Sequence, residues 1–434
     1  MRYAATLLVV SDSPDNGIEP CLSEAGYACT RLSFIDMFEK KFGNDAFDAI
    51  IIDGDNNDAE FDVKRIAEVA DDHDFPILII GPADVKCHAQ TISTGYCELE
   101  LLCRVGALIR LENMQQELQR RMRTTASYGI DFAEVTAPET ELGDTHILII
   151  GGKSIVLGNI LLRLDNRAKI RICTDTENAV ADLRANDYDA VIFSGVGQGD
   201  VNLRLTNDIR CDARLYNIPL IMVLENPENR EAAYIHGVSD IVLHETEMDA
   251  LINRTSLQIL QYRYRAAMQK LFRLTKPHPI ADGPTDLYSA GFMQPHFADM
   301  FGDHEDRQKV LSVASFKITN LDALIETHGF PSGDQLLRQV GSILFNLVRG
   351  EDFCGCYKKG HFVVALPGTR RQEAKIALRR IVGVVTNTEF AISSSPYPIQ
   401  ADVFFGLTEV EAGDTVEDVI TRGFVYKRDD EQAA

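Results

Sequence analysis

No apolar run in the chain approaches the roughly 20 residues that a membrane-spanning helix requires, which excludes a helical membrane span. Positive charge is scarce: 43 Lys and Arg stand against 65 Asp and Glu, a formal net charge of −22. A field of that sign repels nucleic acid and anionic lipid, so neither is an expected partner, and any anionic ligand needs a local basic pocket. The opening stretch, MRYAATLLVVSDSPD, has neither the basic segment nor the cleavage site of a secretory leader. A disulfide framework is also missing. The nine cysteines are scattered, several of them (Cys21, Cys29, Cys173) in apolar strand-like runs, which suits reduced and buried thiols. Cys354 and Cys356 form a C-x-C with no second Cys/His pair nearby, so a metal role is set aside. The expectation is a cytoplasmic protein. What is present is ordinary globular material: 434 residues, 45% hydrophobic and 25% charged. That length suits roughly two to four domains with cores of their own.

An internal repeat organises the first half. LLVVSDS (7–13) is matched by ILIIGGKS (147–154), FDAIIIDGD (47–55) by YDAVIFSGV (188–196), and FPILIIGP (75–82) by IPLIMVLEN (218–226). Short continuous apolar runs bounded by turn residues read as strands buried on both faces, hence parallel sheet. Helical patterns lie between them, as in VKRIAEVADD (63–72) and AVADLRAND (179–187). Alternating β and α elements predict open, doubly wound α/β sheets, with ligand chemistry at the carboxyl ends of the strands. The stretches 111–126 and 248–275 have helical periodicity and many charges. Each reads as a last helix running on into a connector, either a plain surface linker or a stalk that sets domain geometry or dimer contact. KPHPIADGP (276–284), with three prolines and a glycine, then marks a boundary. The expected domains are 1–126, 143–275 and 282–434.

The two repeats resemble response-regulator receiver domains, the flavodoxin-like class of doubly wound sheet. That resemblance implies a phosphoaccepting Asp at the end of the third strand and Mg²⁺ held with an acidic pair after the first. In the first repeat Asp53 stands at the acceptor position, with Asp55 as the alternative in a shifted register, and the acidic pair becomes Ser11-Asp12. Asp12 and Asp53 are weak candidates for Mg²⁺. The hydroxyl position reads Gly81, and no Lys-Pro follows the fourth strand, where TGYCELELLCRV looks shortened. In the second repeat the acidic pair is Gly151-Gly152, the acceptor position Ser194, the hydroxyl position Leu224, and His244 replaces the Lys. Without carboxylates this repeat is expected to be structural.

From about residue 285 the pattern changes to an α+β one. Strands are expected at 310–318, 361–367 and 402–410, and helices around 321–349 and 370–387. RGEDFCGCYKKGHFVVALPGT resembles the hairpin region of GGDEF domains, the diguanylate cyclases, with Lys358-Lys359-Gly360-His361-Phe362 at the signature. DGPTDLYS (282–289), GFPSGDQLL (329–337) and VFFGLTEVEAGDTVEDVITR (403–422) extend the resemblance over the whole third domain. The resemblance places the family's metal-ligand positions at Gly360 and Lys317, the signature's second acidic residue at His361, and the guanine-reading Asn at Ile325; its partner Asp334 remains. A Lys or His cannot replace the hard oxygen ligands of Mg²⁺, so the expectation is a degenerate domain that is not an enzyme and uses no catalytic cofactor.

What the resemblance keeps lies upstream. Arg349-Gly-Glu-Asp352 stands where the family has the R-x-x-D of its cyclic di-GMP product-inhibition site, and the helix 370–385 offers Arg379 or Arg380, of which spacing favours Arg380. Arg forks two hydrogen bonds onto a guanine edge, and Asp accepts from its N–H donors. The implied ligand-binding set is Arg349, Asp352 and Arg380, with cyclic di-GMP as a regulatory ligand. The plain alternative is a solvated Arg–Asp pair and a basic helix face. Arg184-Ala-Asn-Asp187 matches the same short pattern by chance and receives no role. The resemblance, a receiver–receiver–GGDEF order with a degenerate signature, implies a non-catalytic effector or adaptor in bacterial two-component signalling and cell-cycle control. It would recruit a client protein for localisation or regulated proteolysis, and the likeness admits a homodimer and recruitment to a cell pole. Two alternatives stay open: a phosphorylation-controlled scaffold switched through Asp53 without nucleotide, and a residual diguanylate cyclase.

Overall fold

Runs of Ile, Leu and Val in the first half form strands with almost no exposed surface, because helices cover both faces of each sheet. The computed structural model describes residues 4–13, 17–39, 47–54, 63–68, 75–81, 89–130, 134–195, 199–307 and 309–424. Asp55 lies outside them.

The first parallel sheet contains β1 (Thr6–Val10), β2 (Ala28–Leu32), β3 (Ala49–Asp53), β4 (Ile77–Ile80) and β5 (Gln90–Ile92), in the order β2-β1-β3-β4-β5. The second contains β6 (His146–Ile150), β7 (Lys169–Cys173), β8 (Ala190–Ser194), β9 (Leu220–Leu224) and β10 (Asp240–Leu243), in the order β7-β6-β8-β9-β10. Both have the flavodoxin-like order, with the switch point beside the first strand of each sheet. The central strands β3, β8 and β9 are buried at every position, whereas the edge strands β2 and β7 are mostly exposed or half-buried. β5 was not legible in advance: only three residues long, it precedes the segment TGYCELELLCRV that looked shortened.

The third sheet is antiparallel. It contains β11 (Leu311–Ile318), β12 (Phe353–Lys358), β13 (His361–Pro367) and β14 (Val403–Glu409), in the order β12-β13-β11-β14. The single helix expected over 321–349 is two, Leu321–His328 and Phe330–Leu347. The break falls at Gly329, which takes φ 83°, a positive-φ conformation open to glycine; Pro331 lies in the first turn of the second helix. Phe292, Phe297, Phe316, Phe353, Phe362 and Phe390 are fully buried in this domain's core.

Compactness divides the chain into two units. One comprises Thr6–Glu112 and Pro138–Ala266 and holds both parallel sheets. The other comprises Met1–Ala5, Asn113–Ala137 and Ala267–Ala434. The charged segments 111–126 and 248–275 belong to helices Glu98–Ser127 and Leu251–Thr275, of which the later residues pack with the C-terminal unit. The cysteines among the described residues form no disulfide, and their burial differs from expectation: Cys21, Cys29 and Cys173 are half-buried, while Cys354 and Cys356 are buried. Cys21 sits on a helix, and Cys29 and Cys173 on edge strands, where one face meets solvent.

Candidate functional site

At the carboxyl end of β3, Asp53 is 8% exposed and accepts a hydrogen bond from Ser11 Oγ at 2.7 Å. The Asp12 carboxylate instead accepts from Phe34 N–H at 3.0 Å, where a helix begins. Ser93, directly after β5, donates its hydroxyl at 2.5 Å to Glu247, which follows β10 in the same compact unit. In the second repeat the Ser194 side chain stands against Gly151: a Cβ on Gly151 would lie 2.8 Å from Ser194 Cβ and Oγ. His244 is 2.8 Å from the Asn159 amide through its Nε2. Arg184 pairs with Asp212 at 2.6 Å.

The same compact unit buries a charge network. Arg104, Arg230 and Arg254 and the carboxylates Glu100, Asp240 and Glu247 are each 4% exposed or less. Arg104 reaches Glu100 and Asp240, both at 2.9 Å; Arg230 reaches Glu100 at 3.1 Å and Glu247 at 3.3 Å; Arg254 reaches Glu247 at 2.7 Å. Burial pushes the Glu247 carboxyl up, but the Arg254 hydrogen bond and charge outweigh it and hold the group down at about 2. Sequence reading missed this network, because it joins residues 100 and 104 to residues 230–254 and only their pairing makes burial tolerable.

In the C-terminal unit, helix Phe330–Leu347 ends at Val348, and the chain turns through Arg349–Asp352 into β12. Asp352 N–H donates to Arg349 O at 3.2 Å, and Asp352 Oδ2 accepts from Arg349 N–H at 2.8 Å. The two residues share one turn, joined through the Arg349 backbone. Asp352, however, is only 3% exposed, and its carboxylate accepts from the main-chain N–H of Arg349, one residue past the helix cap Val348. As folded, this bond closes the turn. Arg349 is half-buried beside it. Arg380 lies on the exposed face of helix Arg371–Thr386 and has no hydrogen bond or ion pair with a described residue.

At the other end of β12 the hairpin tip is built from the residues that replace the signature. Lys317 pairs with His361 across β11 and β13, and Ile318 N–H donates to Gly360 O at 2.9 Å. Lys359 Nζ stands 3.5 Å from Asp334 and 4.8 Å over the Phe330 ring. Ile325 packs so closely on Gly333 that a Cβ there would meet its Cγ1 at 2.6 Å. Burial lowers the His361 pKa, helped by Lys317 and Lys358, which favours the neutral imidazole. Among the described residues no group of three or more His, Cys, Asp or Glu converges as a metal site.

One further group bears on the Arg349–Asp352 turn. Arg121 Nη2, from helix Glu98–Ser127, donates to the Asp352 carbonyl at 2.7 Å. The i,i+3 and i,i+4 spacing of Glu117 with Arg120 and Arg121 was visible in the sequence; their burial was not.

Residues 280–423 match the family model described as diguanylate cyclase, GGDEF domain. The chain is 23% identical over 334 residues to the response regulator PleD of Caulobacter vibrioides, covering 75% of this chain and 72% of that protein. Among solved structures, diguanylate cyclase SiaD from Pseudomonas aeruginosa, in complex with its activator SiaC, is 22% identical with a TM-score of 0.33. That match covers 38% of this chain and 62% of SiaD, less than two thirds of its length. The GGDEF domain of DgcB from Caulobacter crescentus, in complex with c-di-GMP, is 20% identical with a TM-score of 0.32, over 34% of this chain and 86% of that one. Residues 280–423 therefore form a GGDEF domain, following two receiver-like parallel sheets in a chain homologous to the PleD response regulator.

Proposed function

We propose that the chain is a non-catalytic cyclic di-GMP effector, binding the nucleotide through Arg349 and Arg380 at a turn closed by Asp352. The observation that carries this reading is the contrast between the two ends of β12. At its start the Arg349–Asp352 turn is intact and held by its own hydrogen bonds; at its end stand Lys358, Lys359, Gly360 and His361. Joining two GTP molecules requires metal ions to neutralise charge at the reacting phosphate. Lys317, Gly360 and His361 do not fit Mg²⁺, which takes oxygen donors. Ile325 packs on Gly333, and Lys359 pairs with Asp334, the remaining guanine-reading position.

Homology with PleD supports cyclic di-GMP-related signalling. The replaced signature gives the chain its likeness to PopA, a degenerate relative with the same domain order. From that likeness we take the finer reading: an adaptor in bacterial cell-cycle control that delivers a client to a place such as a cell pole, or to a protease. Binding would shift a population of arrangements and so expose or hide a client surface.

Calorimetric titration of the protein with cyclic di-GMP tests the core of the proposal. Wild type binds, and Arg349→Ala loses about 1–3 kcal/mol, the worth of one forked guanine contact. Absence of binding by wild type rejects the effector reading. In that case Asp53, at the carboxyl end of β3, is the remaining switch. Labelling of wild type but not Asp53→Asn by acetyl phosphate with Mg²⁺ would then establish the scaffold reading.

A further inference from the structure

The Arg349–Asp352 turn is gripped from its inner side by a segment that belongs to neither the turn nor the hairpin. Arg121 donates through Nη2 to the Asp352 carbonyl at 2.7 Å and through Nε to Glu117 Oε1 at 2.6 Å. The same Glu117 oxygen lies 3.1 Å from His296 Nε2. His296 in turn stacks on the ring of Phe353, the next residue after Asp352, with centroids 4.5 Å apart. One carboxylate thus holds both the group that fixes the carbonyl of residue 352 and the group that fixes the ring of residue 353. Glu117, Arg121 and His296 are 1%, 3% and 0% exposed. Arg120 completes the set, bonded to Glu117 Oε2 at 2.6 Å and to Asp303 at 2.5 Å.

A helix that only needed to stick to this domain would do so more cheaply with apolar side chains, since burying an ion pair is often no better than burying a hydrophobic group of similar volume. What the charged set adds is direction: a guanidinium aimed at one carbonyl permits one register of the helix and one position of the turn. A single 2.7 Å bond to a main-chain oxygen also couples the two, because whatever moves residue 352 must move or break it.

We propose that Arg121 is a positioning residue for the nucleotide turn, and that seating of helix residues 113–127 and nucleotide binding at Arg349 are one coupled equilibrium. This rests on the effector reading above. The ligand selects the turn geometry in which the Asp352 carbonyl meets Arg121, so the nucleotide tightens the helix and the seated helix tightens the nucleotide. Linkage makes the two effects equal in size. Regulation of the site therefore enters through the helix that carries Glu117 and Arg121.

The test combines calorimetry with hydrogen exchange on the full chain, using cyclic di-GMP as the probe. Arg121→Met weakens binding about ten- to hundredfold, the loss expected for a hydrogen bond from a charged donor. Arg121→Lys, which keeps a charged donor, recovers part of it. In wild type the nucleotide slows amide exchange across 113–127, and in Arg121→Met this protection disappears. If wild type binds but Arg121→Met binds equally well and exchange across 113–127 ignores the ligand, the coupling is wrong and the effector reading stands. If wild type does not bind, both fall. Should Arg121→Met fail to fold, Arg121→Lys and wild-type exchange decide: unchanged affinity with no ligand-dependent protection overturns the proposal.

Discussion

Gly360 turns the β12–β13 hairpin at φ 72°, and a Cβ on it would lie 2.6 Å from Leu321 Cδ2. Two costs therefore attach to any side chain there, the left-handed backbone and the collision with a buried leucine. Gly360→Ala is expected to lose about 1–3 kcal/mol, read as a lower midpoint of urea unfolding. In a Leu321→Ala background the same substitution costs less, since only the backbone penalty remains. Equal cost in both backgrounds would show that Leu321 is not the obstacle.

That packing also bears on catalysis. Wild type with GTP and Mg²⁺ is expected to give no cyclic di-GMP, followed by chromatographic separation of guanine nucleotides. Restoring acidic residues through Lys317→Asp and Gly360→Glu is expected to leave the protein inactive. The tip must still accommodate a side chain against Leu321, and Ile325 still packs on Gly333. Product from wild type would revive the cyclase alternative.

How much was legible follows from the range of each interaction. The repeat, the parallel sheets and the Lys-Lys-Gly-His tip were readable because continuous apolar runs and local turn residues encode them. β5 escaped because three residues, Gln90–Ile92, carry too little periodicity. Spacing put Arg349 and Asp352 in one turn, where the Arg349 backbone bonds to the Asp352 carboxylate. Spacing cannot tell a carboxylate that faces outward from one bonded to a backbone donor, and Asp352 proved to be the latter. Arg121 was in plain view on a charged helix, but its partner is a main-chain oxygen 231 positions away, which no side-chain pattern announces.

Arg254 is 1% exposed and bonds to Glu247 at 2.7 Å and to the Thr91 carbonyl at 3.0 Å. Truncation leaves Glu247 buried with one cationic partner fewer. Arg254→Ala is expected to cost about 3–5 kcal/mol in denaturant unfolding followed in the receiver-like unit. Arg254→Met with Glu247→Leu should recover much of that, because an apolar pair of similar bulk replaces an ionic one. A cost below about 1 kcal/mol, as at an exposed pair, would show that water reaches this network.

His296 is fully buried, and burial holds its pKa below the ordinary value despite the neighbouring Glu117 carboxylate. Arg121 and Arg120 face it as well and oppose protonation, while Thr124 Oγ1 stands 3.2 Å from Nδ1. The folded protein therefore keeps this imidazole neutral at a pH where the unfolded chain protonates it. The unfolded state binds more protons in that window, so stability rises with pH there. The contribution is complete above the ordinary His value of about 6.5 and is lost as pH falls toward the folded one. Unfolding free energies of wild type between pH 8 and 5 should slope downward on acidification, by at most about 1.4 kcal/mol per pH unit from this one group. His296→Phe, which preserves a ring against Phe353, is expected to be less stable at pH 8 but flatter across the same range. A variant slope equal to that of wild type would mean that His296 is already exchanging protons freely in the folded state.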